Sequence, residues 1–363
     1  MSGPVLDFTS ALYLGLRHSS GSLRAWDQLT LGKPAAMEAP PGAADVASGL
    51  AALIGCRRAV LAPSTLHLFW DLFGILGDAG ARLFLDAGAY PIAKWGVERA
   101  AARGTPVRTV PRHDPRALAA LLASGAGGRG LPVFIADGYC PACGRRAPVR
   151  EFLECLKPYG GLLVLDDTQA FGILGESPRA AAPYGSGGGG SLRFHGAPDA
   201  GVLIVSSMAK GFGVPVAVLA GGERMISQFE ERSATRVHCS PPSVAVIRAA
   251  AHALAVNRRC GDALRLRLAG LVSRFRRGLA RAALAASGGL FPIQTLRTPP
   301  DFDVIGFHER LRAANINAVL HRDRRGAGSR ISFIVTARHT AGAIDRALQV
   351  VGRLAREMNH AHA

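Results

Sequence analysis

Of the 43 lysine and arginine residues in the chain, only Lys33, Lys94, Lys157 and Lys210 are lysines. Lys210 lies in "VLIVSSMAKGFGVPVAVLAGG" (202–222), among small residues and between two apolar runs. A solvated charge there could be an arginine, but a nucleophile could not. A guanidinium stays protonated, whereas a buried ammonium can lose its proton and become an imine-forming amine. Two other features share this setting, at the carboxyl ends of strand-like apolar runs, where open α/β sheets bind ligands. Asp166 and Asp167 close the run "GLLVLDD", and a carboxylate ending an apolar strand needs a cation or donors to offset its burial. Ser64 and Thr65 stand where "RRAVLAP" turns into "TLHLFWDLFGILGD". Hydroxyls and free backbone N–H groups at a helix start bind anions, although Ser and Thr are also ordinary helix caps. Ser207, three residues before Lys210, offers one more hydroxyl.

An anion site, a buried carboxylate and a Schiff-base lysine are the three requirements of pyridoxal 5'-phosphate. The lysine binds the aldehyde, and the carboxylate keeps the pyridine nitrogen protonated so that the ring withdraws electrons. The plainer alternative is an incidental Ser–Lys pair beside a solvated Asp–Asp turn. The co-occurrence of all three, in order and at strand ends, outweighs it.

The elements that must position these residues alternate. Strand-length runs recur at 57–63, 82–88, 106–111, 131–137, 161–167, 201–207 and 215–222, most of them separated by helical stretches such as 65–78, 91–102 and 148–158. Near-continuous hydrophobic strands joined by helices predict a mainly parallel seven-stranded α/β sheet covered on both faces. The last two strands are too close for a parallel crossover, so one of them is antiparallel. After Pro241-Pro242 a long helical region (243–285) leads to shorter strand candidates at 291–297, 316–322 and 330–337, then an amphipathic helix at 341–357. This reads as a smaller α+β domain over 241–363, following a large domain over 46–240 and an N-terminal segment (1–45) that packs on the small domain.

Composition narrows the function class. Hydrophobic residues make up 48% and charged residues 19%, as in a globular protein. The opening residues lack a secretory pattern and no apolar run reaches the roughly 18–20 residues of a membrane span, so the expectation is a cytoplasmic protein without a membrane partner. The net charge of +17 comes from scattered arginines. Their densest stretch, 265–281, interleaves with leucines at helical spacing and reads as the solvated face of a helix. Without a recognisable module or aromatic platform, a nucleic-acid partner is not expected. The six cysteines are irregularly spaced. Cys140 and Cys143 form a C-x-x-C without a second half-site, and read as loop cysteines with no metal. The glycine run 184–191 reads as a flexible loop.

The chain resembles the α-oxoamine synthase family of fold-type I pyridoxal-phosphate enzymes. The resemblance runs through "LDFTSALYLGL" (6–16), "APSTLHLFWDLF" (62–73), "LDAGAY" (85–90), "IADGYCPACG" (135–144), "VLDDTQAFGILG" (164–175), "SSMAKGFGVPVAVLAGG" (206–222) and "RISFIVTARHT" (330–340). It implies that Lys210 forms the imine with the cofactor and that Asp166 partners the pyridine nitrogen. Ser207, Ser64 and the backbone of Thr65 and Leu66 would hold the phosphate, and Asp137 would belong to the cofactor site. Tyr90 takes the place of a ring-stacking histidine, which a tyrosine can replace. Gln169 takes that of a histidine bonded to the ring's phenolic oxygen; an amide N–H can replace it without a titratable proton. His238 and Ser240 stand where relatives place a hydroxyl that reaches the neighbouring subunit's phosphate, so a homodimer is implied.

Two departures fall on the substrate side. The family's opening asparagine is Ala11, and its carboxylate-clamping arginine, seven residues before His339, is Ser332. Arg330 is close, but two residues along a strand shift a contact along one face. The resemblance implies transfer of an acyl group, from a thioester on coenzyme A or a carrier protein, to an amino-acid-derived carbanion, with an altered carboxylate site. An aminotransferase needs the same lysine as proton shuttle, and a non-catalytic cofactor-binding protein is the reading from another class.

Overall fold

The computed structural model describes residues 4–322 and 328–360. Seven strands, β1 (Arg58–Ala62), β2 (Arg82–Asp86), β3 (Val107–Val110), β4 (Pro132–Asp137), β5 (Leu162–Asp166), β6 (Val202–Ser207) and β7 (Ala217–Gly221), form one sheet in the order β3-β2-β4-β5-β6-β7-β1. β7 runs antiparallel to both its neighbours, and the other pairings are parallel. Strands buried on both faces explain the unbroken apolar runs; β4 is buried at every residue.

Helices Ala43–Ile54, Thr65–Asp78, Pro91–Ala102, Pro115–Ala123 and Val149–Leu156 belong to this domain. Two of them begin with proline, which has no N–H to leave unpaired at a helix start. Two apolar cores result, one built around Phe84, Phe134 and Phe171, the other around Phe69, Phe73 and Val205.

The smaller domain is a four-stranded antiparallel sheet of β8 (Ala285–Ser287), β9 (Ile293–Arg297), β10 (Val319–His321) and β11 (Arg330–Ile334), in the order β8-β9-β11-β10. It packs with helices Val304–Ala313 and Ala341–His360 around Phe275, Phe307 and Phe333. Two elements tie the domains together. Helix Val244–Arg281 buries Ile247, Ala250 and Ala253 in the large domain's core and Leu268, Val272 and Phe275 in the small one's. Leu6–Asp7 pairs in parallel with Ile316–Asn317, and Phe8 stacks on His339 at 4.5 Å between ring centres.

Three sequence expectations change. The long helix ends at Arg281 and β8 begins at Ala285, the last residue of the stretch read as helix, and the run 316–322 splits into Ile316–Asn317 and β10. The arginines of 265–281 are not simply solvated. Arg265 is buried and donates to Asn257 Oδ1, Gly172 O and Asp262 Oδ1, while Arg274 pairs with Asp345 and Arg267 donates to Ala337 O. The glycine run is a packed crossing rather than a slack loop. Gly188 sits at φ +76°, and a Cβ there would collide with the Arg265 guanidinium and with Gly172 O. Asn257 Nδ2 donates to Gly187 O, and Gly187 N donates to Asp262 Oδ1.

Candidate active site

β4 and β5 end side by side, with Asp137 and Asp166 paired in register. Tyr90 N donates to Asp137 Oδ1 (3.0 Å), and Thr168 N donates to Asp166 Oδ1 (3.1 Å). Burial raises both carboxyls above the usual range. The Asp166 charge raises Asp137 further, so Asp137 is the member that keeps its proton as pH rises. Lys210 follows β6, the strand beside β5. Burial lowers its ammonium pKa, with the Asp166 charge opposing, and Lys210 in turn restrains the rise at Asp166. A half-buried amine poised toward its neutral form thus stands next to a buried carboxylate.

The neighbouring Asp167 has a different task. It accepts from Ser191 N (2.7 Å) and Ser191 Oγ (2.5 Å), and burial pushes its carboxyl to about 7. It fixes the glycine-run crossing, while Asp166 serves the strand ends.

The anion-site candidates gather at one end of the sheet through β7. Ala217, its first residue, pairs with both Ala62 and Ser207, which brings the start of helix Thr65–Asp78 next to the end of β6. Ser64 precedes that helix without capping it, and its Oγ lies 2.8 Å from His67 Nδ1. The first-turn N–H groups of Thr65 and Leu66 are therefore not engaged by the cap side chain. Ser207 N donates to Thr168 Oγ1 (3.1 Å), joining this corner to Asp166.

A cavity of about 340 Å³ opens between the strand ends and the small sheet. Lys210, Asp137, Tyr90 and Gln169 line one side; Ala11, Ser332 and Arg330 line the other. Asp166, Ser64, Thr65, Leu66 and Ser207 are not part of this lining, and His238 and Ser240 are exposed outside it. Tyr13 Oη donates to Gln169 Oε1 (2.5 Å); burial raises the phenol's pKa, so it stays a donor, and the Gln169 NH₂ remains free for another acceptor.

On the far side, Ser332 Oγ lies 2.7 Å from Thr295 Oγ1 and 2.9 Å from His321 Nε2. Partial burial, then the Arg330 charge, lowers the His321 pKa and keeps the ring neutral. This wall carries no cation at Ser332; Arg330 is exposed and donates to Ala142 O at 3.3 Å. Sequence reasoning missed Tyr13, Thr295 and His321. Thr295 and His321 reach Ser332 through the pairing of β9, β10 and β11, for which no sequence spacing is a signal.

Residues 35–351 match the family described as aminotransferase, class I and II. The chain is 28% identical over 360 residues to the 8-amino-7-oxononanoate synthase of Sodalis glossinidius, covering 95% of this chain and 87% of that relative. In fold it is similar to the 8-amino-7-oxononanoate synthase of Francisella tularensis (TM-score 0.77, 16% identity, 97% of this chain and 98% of that one). It is also similar to the serine palmitoyltransferase of Sphingomonas wittichii (TM-score 0.85, 15% identity, 98% and 88%). A serine palmitoyltransferase from S. paucimobilis with a bound PLP–myriocin aldimine gives a TM-score of 0.83 at 14% identity, over 98% and 88%. With the family matched over most of its length and the fold over nearly all of it, the chain belongs to the class I and II aminotransferase family of pyridoxal-phosphate transferases.

Proposed function

We propose that this protein is a pyridoxal-phosphate-dependent transferase of α-oxoamine synthase type, acting on an amine whose carboxylate is modified, absent or held otherwise than by an arginine at position 332. The observation that carries the reading is the pairing of Lys210, a lysine shifted toward its neutral form, with the buried Asp166 at adjacent strand ends. The donor set fits the cofactor: a reactive amine, an adjacent buried carboxylate, and a helix start with Ser207 beside it.

When bound, pyridoxal phosphate supplies an aldehyde for the amine and a ring that draws electrons from the bond being broken. The chain's residues do the rest. Lys210 would hold the cofactor through its Nζ and would be the group that takes and returns the proton at the substrate's Cα. Asp166 holds a proton at the pyridine nitrogen, and the Gln169 NH₂ donates to the phenolic oxygen. Tyr90, half exposed at the cavity, covers the ring. Ser64 Oγ, Ser207 Oγ and the N–H groups of Thr65 and Leu66 hold the phosphate. Acyl transfer, with a thioester on coenzyme A or a carrier protein as donor, is favoured over transamination by the synthase relatives that match along the whole chain.

The proposal includes a homodimer. Leu66, Trp70, Tyr90 and Trp95 are 38–51% exposed on adjoining elements at the strand ends, an apolar surface suited to a second copy. His238 and Ser240 would then serve the partner's phosphate. Among the described residues, no helix is long and apolar enough to cross a membrane.

The test is an absorbance spectrum of the purified protein, borohydride reduction and peptide mass spectrometry. A reduced pyridoxyl adduct on Lys210 supports the reading. A colourless protein that takes up no added pyridoxal phosphate sinks it. Sedimentation at twice the chain mass supports the dimer; a fully active monomer removes it.

A further inference from the structure

The C-x-x-C sequence of residues 140–143 is not absorbed by the cofactor chemistry, yet it forms part of the cavity wall. Tyr139–Cys140 pairs with Arg145–Arg146 in a short hairpin, and the turn between them is closed by Gly144 N donating to Cys140 O (2.9 Å). Cys140 is buried and lines the cavity together with Pro141 and Ala142, the two residues between the cysteines. Ala142 O is also the acceptor for Arg330, the exposed cation of the substrate side. Both thiols are free, Cys143 Sγ donates to Cys140 O (3.8 Å), and Cys143 is partly exposed.

The two thiols are not equivalent. The neighbouring Cys140 thiol, with His113 and Arg145, lowers the Cys143 thiol below the usual thiol range. The neighbouring Cys143, and then burial, raise the Cys140 thiol above that range. A partly exposed, more acidic thiol beside a buried one is the arrangement of an attacking and a resolving cysteine.

We infer that Cys140 and Cys143 are a dithiol–disulfide site, and that its oxidation state sets the position of the Pro141–Ala142 wall and of Arg330. The oxidant is a low-molecular-weight disulfide. Cys143 Sγ⁻ attacks one of its sulfurs, forming a mixed disulfide and expelling one thiolate. Cys140 then gives up its proton and attacks Cys143 Sγ, closing the 140–143 bond and expelling the second thiolate. Two electrons pass from the cysteines to the oxidant, which leaves as two thiols. A dithiol reductant reverses the exchange.

The test uses the full chain. Iodoacetamide at pH 5.5, followed by peptide mass spectrometry, should label Cys143 at least tenfold faster than any other cysteine; in Cys140→Ser the advantage shrinks but persists through His113 and Arg145. Equilibration with excess oxidised glutathione should remove two hydrogens from the 140–143 peptide, reversibly with dithiothreitol. The coupling is read with aminooxyacetate, a small carbonyl-reactive carboxylate, on protein loaded with pyridoxal phosphate. Its reaction rate should differ at least threefold between oxidised and reduced protein, and not at all in Cys143→Ser. Labelling without preference for Cys143, no 140–143 disulfide, or equal rates in the two states overturns the inference. Failure to load pyridoxal phosphate leaves both thiol arms readable and counts against the proposed function instead.

Discussion

The two sides of the cavity are built on different principles. On the large-domain side, Lys210, Asp166 and Asp137 come from the ends of adjacent strands in a sheet buried on both faces, so their positions are set by the core. Their charges are shifted by burial and by one another. On the small-domain side, Ala11, Thr295, His321 and Ser332 come from a loop and from separate strands, and the polar atoms satisfy each other. One side spends folding stability to hold buried titratable groups, while on the other the side chains around Ser332 satisfy one another and the one charge, Arg330, is exposed. On the function proposed, the first side is the catalytic half, which tolerates little change, and the second a recognition half that can be rewritten one side chain at a time.

The sharpest way to break the comparison is Lys210→Ala. It should lower turnover by about 10²–10⁴-fold and remove the borohydride-trapped adduct, with the fold retained by circular dichroism. Retained turnover would move the chemistry elsewhere in the cavity. On the other side, Ser332→Arg with Ala11→Asn should leave that adduct intact. It should tighten binding of alanine or serine by roughly ten- to a hundredfold, from a charge-assisted contact of about 1.5–3 kcal/mol, read by absorbance titration. Equal binding before and after means that Ser332 is not the altered anchor.

A smaller effect tests the cost of the catalytic half. A buried carboxyl whose folded pKa is raised is neutral in both states well below pH 3.8 and costs stability as pH rises from there toward its folded value. Asp137→Asn, which keeps an acceptor for Tyr90 N, should therefore stabilise the cofactor-free protein by about 0.5–2 kcal/mol at pH 7–8. The gain should vanish near pH 3.5 in denaturant titrations. The smallest effect concerns Lys210. Burial lowers its pKa and Asp166 raises it, so Asp166→Asn should shift the pH midpoint of its labelling by acetic anhydride further down, by roughly one unit or less. An upward shift would separate the two residues.

The placement of Asp137, Asp166 and Lys210 was legible in the sequence because they end or closely follow apolar runs whose period and length declare them strands. Lys210 stood out further as one of four lysines among many arginines. Ser332 could be located only by counting from His339, and its partners could not be located at all. Thr295 and His321 meet it through strand register, a property of two chain segments together. The glycine run misled for a related reason. Its composition signals freedom, but Arg265 and Gly172 occupy the space that side chains would need. The inward turn of Arg265 was equally hidden, since a leucine–arginine alternation does not say which arginine faces a buried carbonyl.

The pairing of Leu6–Asp7 with Ile316–Asn317 has a consequence for how the molecule is made. The segment that delivers Ala11 to the cavity and Tyr13 to Gln169 leaves the ribosome about 300 residues ahead of its strand partner. At roughly 5–20 residues per second, that opening stretch waits some 15–60 seconds without its partner. The large domain can assemble during translation, but the cavity is closed only when this early stretch is captured by a strand made about 300 residues later. A chain stalled before Ile316 would carry Lys210 without the opposite wall of the cavity.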